Sequence, residues 1–477
     1  MDTADIQGSP SAKALDDPAD GSPAPPEGSL PRRSIDAPRP VHAQLRSLFV
    51  AAPKRPITGQ AALIAALAVL AGTTISIYGQ RGALNTVWAE DGGIFYQATL
   101  RHGLLETLTI PYNGYYQLLP RLMIQLVRVF PLTAAAEAMA IIGAVTTSFL
   151  AVLVYAASSE HLSSRIVRFC VSAPVAVLYV AQEELGNNIV NIPWYMVYVA
   201  FWMLLWNPEE TWRRWLAAIV LFLTAASDPT TVVLLPLAVT RVAVVRGRRG
   251  FTGPAAFVAG LAYQAEGLLF QNSYATRVAM PSRYDPLWAS SSYLKDVALP
   301  SMVGGRWWAE PGSHTTALIV ATCLLAGFLI IAAFRLTEPR WMLACAAVVS
   351  SYVLYLPLVM QGGVRARYVG APTLLLLAGV AALVVPRARR QWPSIALAAL
   401  IAVVIPLNLH TDSIRTKGPS WSAGVATATK LCASEAKSWV DVGISPRWGR
   451  VSAWNINLPC TLVRNQHKFF QIQQYRG

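Results

Sequence analysis

Apolar runs of about 20 residues recur along most of the chain and alternate with short polar segments. A helix of that length crosses a hydrocarbon core of about 30 Å, because each helical residue rises about 1.5 Å. The pattern therefore predicts an all-α polytopic membrane protein. It predicts about eleven transmembrane helices, at 58–79, 132–157, 166–182, 192–206, 215–226, 230–245, 253–270, 314–334, 341–360, 368–385 and 394–408.

The two ends of the chain lack this pattern. Residues 1–57 are rich in Pro, Ser, Asp and Ala without apolar periodicity, which predicts a disordered cytoplasmic tail. No short apolar core with a small-residue cleavage site follows Met1, so the first span is expected to be an uncleaved anchor. Residues 58–408 form the predicted transmembrane domain, and residues 409–477 a small exterior domain.

Clustered arginines predict the orientation. Basic residues precede the first span, which places the N-terminus in the cytoplasm by the positive-inside rule. With eleven spans, all short basic loops but one fall inside, whereas the long loops 80–131 and 271–313 and the C-terminus fall outside. The preference for Arg over Lys and the abundant Ala indicate a bacterial source, so we expect a bacterial inner membrane.

The composition supports this class and excludes others. The 477 residues are 54% hydrophobic and 13% charged, about half the charged fraction of a soluble protein. The net charge of +14 lies in loops between apolar runs, which argues against a nucleic-acid groove. The sequence has no phosphate-binding Walker loop, dinucleotide fingerprint, HExxH or CxxC pair, so neither a nucleotide nor structural zinc is indicated.

The stretch "TVWAEDGGIFYQATLRHG" follows the first span and carries the first candidate chemistry. It places Glu90 and Asp91 before two glycines, which allow the backbone to approach a bulky ligand. The stretch "PYNGYYQLLPR" adds the candidate substrate-binding residues Tyr112, Tyr115 and Arg121. Aromatic rings can stack on the apolar faces of a sugar, and carboxylates can bond its hydroxyls. The alternative is a solvated loop or a helix cap at the membrane surface.

A second polar stretch, "QEELGNNIVNIPW", lies at the outer end of the third predicted span. Glu184, Asn188 and Asn191 could form a second wall of the site, close to Asp91, that binds donor or acceptor hydroxyls. A hydrated turn with helix-capping asparagines is the alternative, and the sequence leaves both open. Asp228, which precedes a proline, is predicted to be a turn and cap residue.

The stretch "MQGGVRARYVGAP" breaks the positive-inside pattern. It places Arg365 and Arg367 outside, in a short loop beside the membrane, with Tyr368 next to them as a candidate substrate-binding residue. Charged groups at such a position usually have a partner, and arginine binds phosphate oxygens bidentately. A lipid monophosphate is the predicted partner, and snorkelling to lipid headgroups is the alternative.

Taken in order, "WAEDGGIF", "PYNGYYQLLPR", "ELGNNIVNIPWYM", "SDP" and "RYVGAP" resemble the GT-C class of membrane glycosyltransferases over residues 58–408. That class includes protein O-mannosyltransferases and lipid A aminoarabinose transferases, which take a sugar from a polyprenyl phosphate. The chain departs from the class at Pro193, where a histidine is expected. The resemblance implies that the basic residues around "RYVGAP" contact the donor phosphate.

The sequence thus predicts an enzyme that moves one sugar from a polyprenyl-phosphate donor to an exterior glycan, glycolipid or protein, with inversion. Asp91 is the predicted base and Glu90 its positioning group or a sugar ligand, while Arg367 and Arg365 hold the leaving phosphate. No cofactor or metal motif is evident, although the two acids leave room for a divalent cation. The rival classes are a lipid-linked sugar flippase or other transporter and a lipid-linked oligosaccharide ligase or polymerase.

The five cysteines fall into two groups. Cys170, Cys323 and Cys345 lie within predicted spans and are expected to be apolar filler. Cys432 and Cys460 lie in the exterior segment, where an oxidising compartment allows a disulfide. We expect the bridge, with two free thiols as the alternative.

Overall fold

The computed structural model describes residues 41–177, 179–180, 182–270, 283–309, 312–334, 340–384, 391–409, 415, 417–434, 437–448 and 451–469. A helix overlaps each of the eleven predicted spans. In chain order the α-helices are α1 Val41–Arg46, α2 Gly59–Gly79, α3 Gln97–Arg101, α4 Leu104–Leu108, α5 Leu118–Val127, α6 Ala135–Ala157, α7 Arg165–Ala176, α8 Gln182–Leu185, α9 Ile192–Leu205, α10 Thr211–Ala225, α11 Leu235–Val244, α12 Arg248–Phe270, α13 Pro286–Tyr293, α14 Pro300–Val303, α15 Gly305–Ala309, α16 His314–Phe334, α17 Trp341–Gly362, α18 Ala366–Val384, α19 Trp392–Asn408, α20 Trp421–Ser434 and α21 Cys460–Arg464.

Shorter helical turns of other geometry connect these α-helices. The 3₁₀ turns are Arg81–Asn85, Leu132–Ala134, Ser158–Glu160 and Pro229–Leu234, and the π-helical turns are Asp91–Tyr96 and Leu294–Ala298.

Five stretches of the described chain are long and apolar enough to cross a membrane. They are Gly59–Gly79, Leu132–Glu160, His314–Phe334, Trp341–Gln361 and Ala366–Val384. Other apolar helices have 10–17 residues, and a helix of 17 residues is only about 25 Å long. The chain is therefore a membrane protein in which the predicted count of eleven spans is not confirmed.

Helix α9 forms the centre of the core. All 14 of its residues are buried, because its sequence IPWYMVYVAFWMLL is apolar on every face. It packs against α6, α10 and α18, and α18 is itself buried from Val369 to Val384. The first turns of the two helices lie close together. The ring centroids of Trp194 in α9 and Tyr368 in α18 are 5.4 Å apart.

Part of the predicted N-terminal tail is structured. Residues 1–40 lie outside the described part of the chain, but residues 41–57 contain α1 and the strand β1 (Ala51–Ala52), which pairs in parallel with β2 (Asn207–Pro208). Leu48 and Phe49 are buried in the core, each 4% exposed. This apolar pair supplies the burial that a disordered tail lacks, so the predicted disorder does not extend through residue 57.

The C-terminal segment contains an antiparallel hairpin of β3 (Trp439–Trp448) and β4 (Val451–Pro459), which the all-α prediction missed. Val440, Val442 and Ile444 are buried along β3, a period-two pattern that marks a strand with one covered face. The hairpin packs on the segment after the first span, where Ser445 N donates to Val87 O at 2.9 Å. The C-terminal segment therefore contacts the segment that follows the first predicted span directly.

A disulfide joins α20 to α21. Cys432 and Cys460 are bonded with their Cα atoms 5.4 Å apart, whereas Cys170, Cys323 and Cys345 are free thiols. The expected bridge is confirmed. It joins the helix that precedes the β3–β4 hairpin to the helix that follows it.

Removing this bridge should destabilise the C-terminal segment. The chain-entropy model gives on the order of 3 kcal/mol for a loop of this size, so Cys432→Ala/Cys460→Ala should lower the thermal midpoint of the purified protein. A thermal unfolding series in detergent measures it, with Cys323→Ala/Cys345→Ala as the matched control. An equal midpoint for both double variants without reductant would contradict a stabilising bridge.

Candidate functional site

The two neighbouring acids of "WAEDGG" face different surroundings. Asp91 begins the π-helical turn Asp91–Tyr96 and is only 2% exposed. Its Oδ1 accepts a hydrogen bond from Val190 N at 2.8 Å and its Oδ2 one from Ile189 N at 3.1 Å. Both donors belong to the turn that precedes α9. The Asp91 carboxylate thus joins the segment after the first predicted span to the turn before α9.

Arg415 supplies a buried positive charge beside Asp91. Burial raises the pKa of Asp91 to about 7, and the bonds from Val190 N and Ile189 N and the Arg415 charge oppose this rise. Arg415 Nη1 donates to Asn187 O at 3.3 Å, and its guanidinium lies 5.0 Å from the Trp88 ring centroid. The sequence analysis missed Arg415, because nothing in its local pattern marks it as a partner of Asp91.

Glu90 instead belongs to a charged cluster centred on Arg367. Arg367 Nη1 lies 3.2 Å from Glu184 Oε1 and 3.9 Å from Glu90 Oε1. The Arg367 backbone N also donates to Glu184 Oε2 at 3.2 Å. The three side chains are 16–27% exposed, so a ligand can reach them. One guanidinium therefore joins carboxylates from two segments that are distant in sequence.

The environment of Glu90 shifts the pKa of its carboxyl upward. Burial raises the pKa of Glu90, the Arg367 charge opposes the rise and the Glu184 carboxylate adds to it. A carboxylate with a raised pKa holds a proton more readily than an exposed one. Glu90 can therefore exchange a proton closer to neutral pH than an ordinary glutamate.

Tyrosines surround the cluster. Tyr112 and Tyr115 exchange backbone hydrogen bonds of 3.0 and 3.3 Å across Asn113 and Gly114. Both central residues have positive φ (52° and 84°), the geometry of a type I′ turn, for which Asn-Gly is the preferred pair. Burial raises the pKa of Tyr112 to about 12, and the Glu90 charge adds to that rise. The tight turn thus presents one of its tyrosines to Glu90.

The Arg367 charge also acts on Tyr115, and the Arg367 guanidinium lies near the ring of Tyr368. Burial raises the pKa of Tyr115, with a further rise from Asp228, while the Arg367 charge opposes it. The Arg367 guanidinium lies 5.7 Å from the Tyr368 ring centroid. The structure therefore brings together four of the predicted site residues, namely Glu90, Glu184, Arg367 and Tyr368. The hydroxyls of Tyr112 and Tyr115 are within range of the charges of this cluster.

The two predicted asparagines hydrogen-bond to the backbone of Glu184, a member of this cluster. Asn191 donates its side-chain amide to Glu184 O at 2.8 Å, and the Asn188 amide donates to the same oxygen. Both side chains are buried, at 4% and 1% exposure. In this structure they hold the backbone of Glu184, which differs from the predicted contact with sugar hydroxyls.

Other predicted residues lie outside the cluster. Arg365 is exposed at the start of the turn before α18. Arg121 is 1% exposed and lies 4.4 Å above the Phe95 ring, with Nη2 donating to Ile110 O at 3.0 Å. Asp228 is the cap of the turn Pro229–Leu234, accepting from Thr230 N at 2.8 Å, which confirms its predicted role.

The two glycines after Asp91 serve packing. A Cβ at Gly92 would lie 2.8 Å from Ile444 Cδ1 and would collide with Val87, and one at Gly93 would lie 2.9 Å from Asn455 O. Ile444 and Asn455 belong to the hairpin. The glycines therefore let the hairpin approach the π-helical turn, and their predicted role in ligand approach stays a prediction.

The described residues contain no group of three or more His, Cys, Asp or Glu side chains placed to hold a metal ion. No family model, curated protein or solved structure matches the chain.

The buried state of Asp91 predicts a pH dependence of stability. Because its pKa is raised from 3.8 to about 7, the folded protein binds this proton more tightly than the unfolded chain, and stability falls as the pH rises between these values. The thermal midpoint of the native protein should exceed that of Asp91→Asn by the largest amount near pH ~4, and this difference should shrink towards pH ~7.

Thermal unfolding in detergent across this pH range measures the effect. Asp441→Asn, which changes an exposed acid of β3, is the control. A difference for Asp91→Asn that widens with rising pH would show that Arg415 stabilises the charged form and would contradict the raised pKa.

Proposed function

We propose that this protein is a glycosyltransferase that takes a single sugar from a polyprenyl-phosphate donor at the outer face of a bacterial inner membrane. The observation that carries the proposal is the cluster in which Arg367 joins Glu90 and Glu184 beside Tyr368, within range of the hydroxyls of Tyr112 and Tyr115. A cation for the leaving phosphate, carboxylates for hydroxyls and rings for the sugar face are the groups that this reaction requires.

Arg367 is suited to hold the donor phosphate. Its ionic contacts in the described part of the chain both go to Nη1. Nη2 and Nε can therefore present a planar fork to phosphate oxygens. Its position at the first turn of α18, a helix that is long and apolar enough to cross a membrane, suits a phosphate carried by a lipid.

Glu90 is the acid best placed to act as the general base. It is partly exposed and contacts the Arg367 side chain, whereas both oxygens of Asp91 are occupied by backbone donors in a buried setting. In the proposed reaction the acceptor hydroxyl loses its proton to Glu90 and attacks the anomeric carbon, and the lipid phosphate leaves with inversion. The role of Asp91 as base stays a prediction, and its burial favours an anchoring role.

The acceptor is an exterior glycan, glycolipid or protein, and the proposal requires no cofactor. A flippase or a ligase of oligosaccharide donors would use the same charged groups. Incubating the purified protein with a radiolabelled polyprenyl-phosphate monosaccharide distinguishes them. Transfer to an acceptor supports the proposal, relocation without transfer supports a flippase, and rejection of monosaccharide donors supports a ligase.

Substitutions of Glu90 and Asp91 should have different effects on turnover. Glu90→Gln keeps the size of the side chain but removes the proton acceptor, so turnover should fall on the order of a hundredfold with donor binding retained. Asp91→Asn should lower the folded yield more than the turnover of the folded fraction. Glu106→Gln, an exposed glutamate, is the control. Normal turnover in folded Glu90→Gln, together with a large loss of turnover in folded Asp91→Asn, would show that Asp91 and not Glu90 is the general base.

Arg367→Ala should weaken donor binding. Removing one partner of a desolvated charged pair typically costs about 2–5 kcal/mol, which predicts at least a thirtyfold loss of donor affinity. Arg367→Lys should recover only part of it, because an ammonium lacks the planar fork. Donor titration measures both variants, with Arg365→Ala as the matched control and a smaller expected effect. Unchanged donor affinity in Arg367→Ala would place the phosphate elsewhere.

A further inference from the structure

A second polar site lies apart from the Arg367 cluster. An open cavity of about 220 Å³ is bordered by the π-helical turn, α3, the segment before the Tyr112–Tyr115 turn and α5. Its polar lining residues are Gln97, Arg101, His102 and Arg121. Neither Glu90 nor Arg367 lines it. The volume is below the roughly 300 Å³ of typical small-molecule sites, so it suits a compact group.

Arg121 gives this cavity a buried positive charge that is incompletely hydrogen-bonded. The side chain is 1% exposed, and Nη2 donates to Ile110 O. Its Nε and Nη1 are buried without a hydrogen-bond acceptor in the part of the chain that the structure describes. Buried charges are normally paired, because an unpaired one loses hydration without compensation. A ligand with acceptor oxygens would supply the missing partner.

A second lining residue of the cavity, Arg101, is also positively charged. Arg101 lies at the cavity and is held by Asn457 Oδ1 at 3.2 Å and by the Trp439 ring at 5.3 Å, both from the hairpin. No carboxylate is among the described residues that line the cavity. The adjacent Glu106 is engaged by His102 at 2.6 Å. The wall therefore presents two guanidinium groups without a lining carboxylate to neutralise them.

Exposed leucines lie on α4, which follows the lining residue His102 in sequence, and on α5, which carries Arg121. In α4 Leu104 and Leu105 are 53% and 78% exposed, and in α5 Leu122 and Leu126 are 38% and 51% exposed. The same helix α5 buries Arg121 on its opposite face. Short amphipathic helices with exposed leucines are typical of segments that lie in the membrane interface. The cavity is thus positioned where a lipid headgroup can enter it.

We propose that this cavity binds a phosphate group, carried by an anionic lipid headgroup, between the guanidinium groups of Arg101 and Arg121. Arginine matches phosphate oxygens bidentately, and the exposed leucines of α4 and α5 contact the acyl chains. The site is separate from the proposed donor site and does not depend on glycosyl transfer. A free phosphate ion would satisfy the same guanidinium groups, so the source must be separated by experiment.

The test measures lipid binding by the full chain in non-ionic detergent, by native mass spectrometry. Phosphatidic acid should be retained and phosphatidylcholine should not, and inorganic phosphate should compete only at much higher concentration. Arg121→Gln and Arg101→Gln should each weaken phosphatidic acid binding about tenfold or more, since a charge-assisted hydrogen bond is lost. Arg81→Gln, which changes an exposed arginine over Tyr78, is the matched control and should bind normally.

Arg101 keeps the test decisive if the buried Arg121 is required for folding, because Arg101 is exposed. Equal competition by inorganic phosphate would support the phosphate site and assign a free ion as its ligand. Unchanged phosphatidic acid affinity in folded Arg101→Gln, or equal retention of phosphatidylcholine, would overturn the proposal. The readout is binding alone, so it is independent of any failure of the glycosyltransferase proposal.

Discussion

The burial of the Asp91 carboxylate organises the polar face of this protein. A carboxylate removed from water must find donors inside the protein, and Asp91 finds Ile189 N, Val190 N and the nearby charge of Arg415. These partners come from the turn before α9 and from the segment after the last helix of the membrane body. Asp91 therefore joins the π-helical turn to the turn before α9, and Arg415 joins the C-terminal segment to the same turn through Asn187 O. The chain direction at Asp91 leaves Glu90 beside Arg367.

The apolar core determines where the charged cluster lies. Helices α9 and α18 are buried almost throughout, so their first turns have little freedom to move. The Glu184 backbone is held by Asn188 and Asn191 just before α9, and Arg367 stands at the start of α18. Rigid elements thus present a small number of charged groups at their ends, the arrangement that positions catalytic side chains reproducibly.

In the proposed reaction the donor phosphate binds Nη2 and Nε of the guanidinium whose Nη1 faces Glu90 and Glu184. Binding of a phosphate to Arg367 would weaken its hold on Glu90, and the raised pKa of that carboxyl would let it accept the proton of the acceptor hydroxyl. The proposed phosphate cavity at Arg101 and Arg121 is a second site on the segment that carries Glu90. The hairpin links both regions, because Ile444 contacts the turn at Gly92 and Asn457 holds Arg101.

The sequence by itself determined the apolar helices and the cysteine pair able to form a bridge, and it marked Arg367 as an exception to the predicted positive-inside pattern. These follow from local composition, charge and segment length, which do not depend on distant partners. Only the tertiary structure decided that Asp91 turns inward and Glu90 towards Arg367, since neighbouring residues of a helical turn point in different directions and the covered side depends on what packs there. It also decided the roles of Arg415, the two glycines and Arg121, because their contacts come from segments that the chain brings together only by folding.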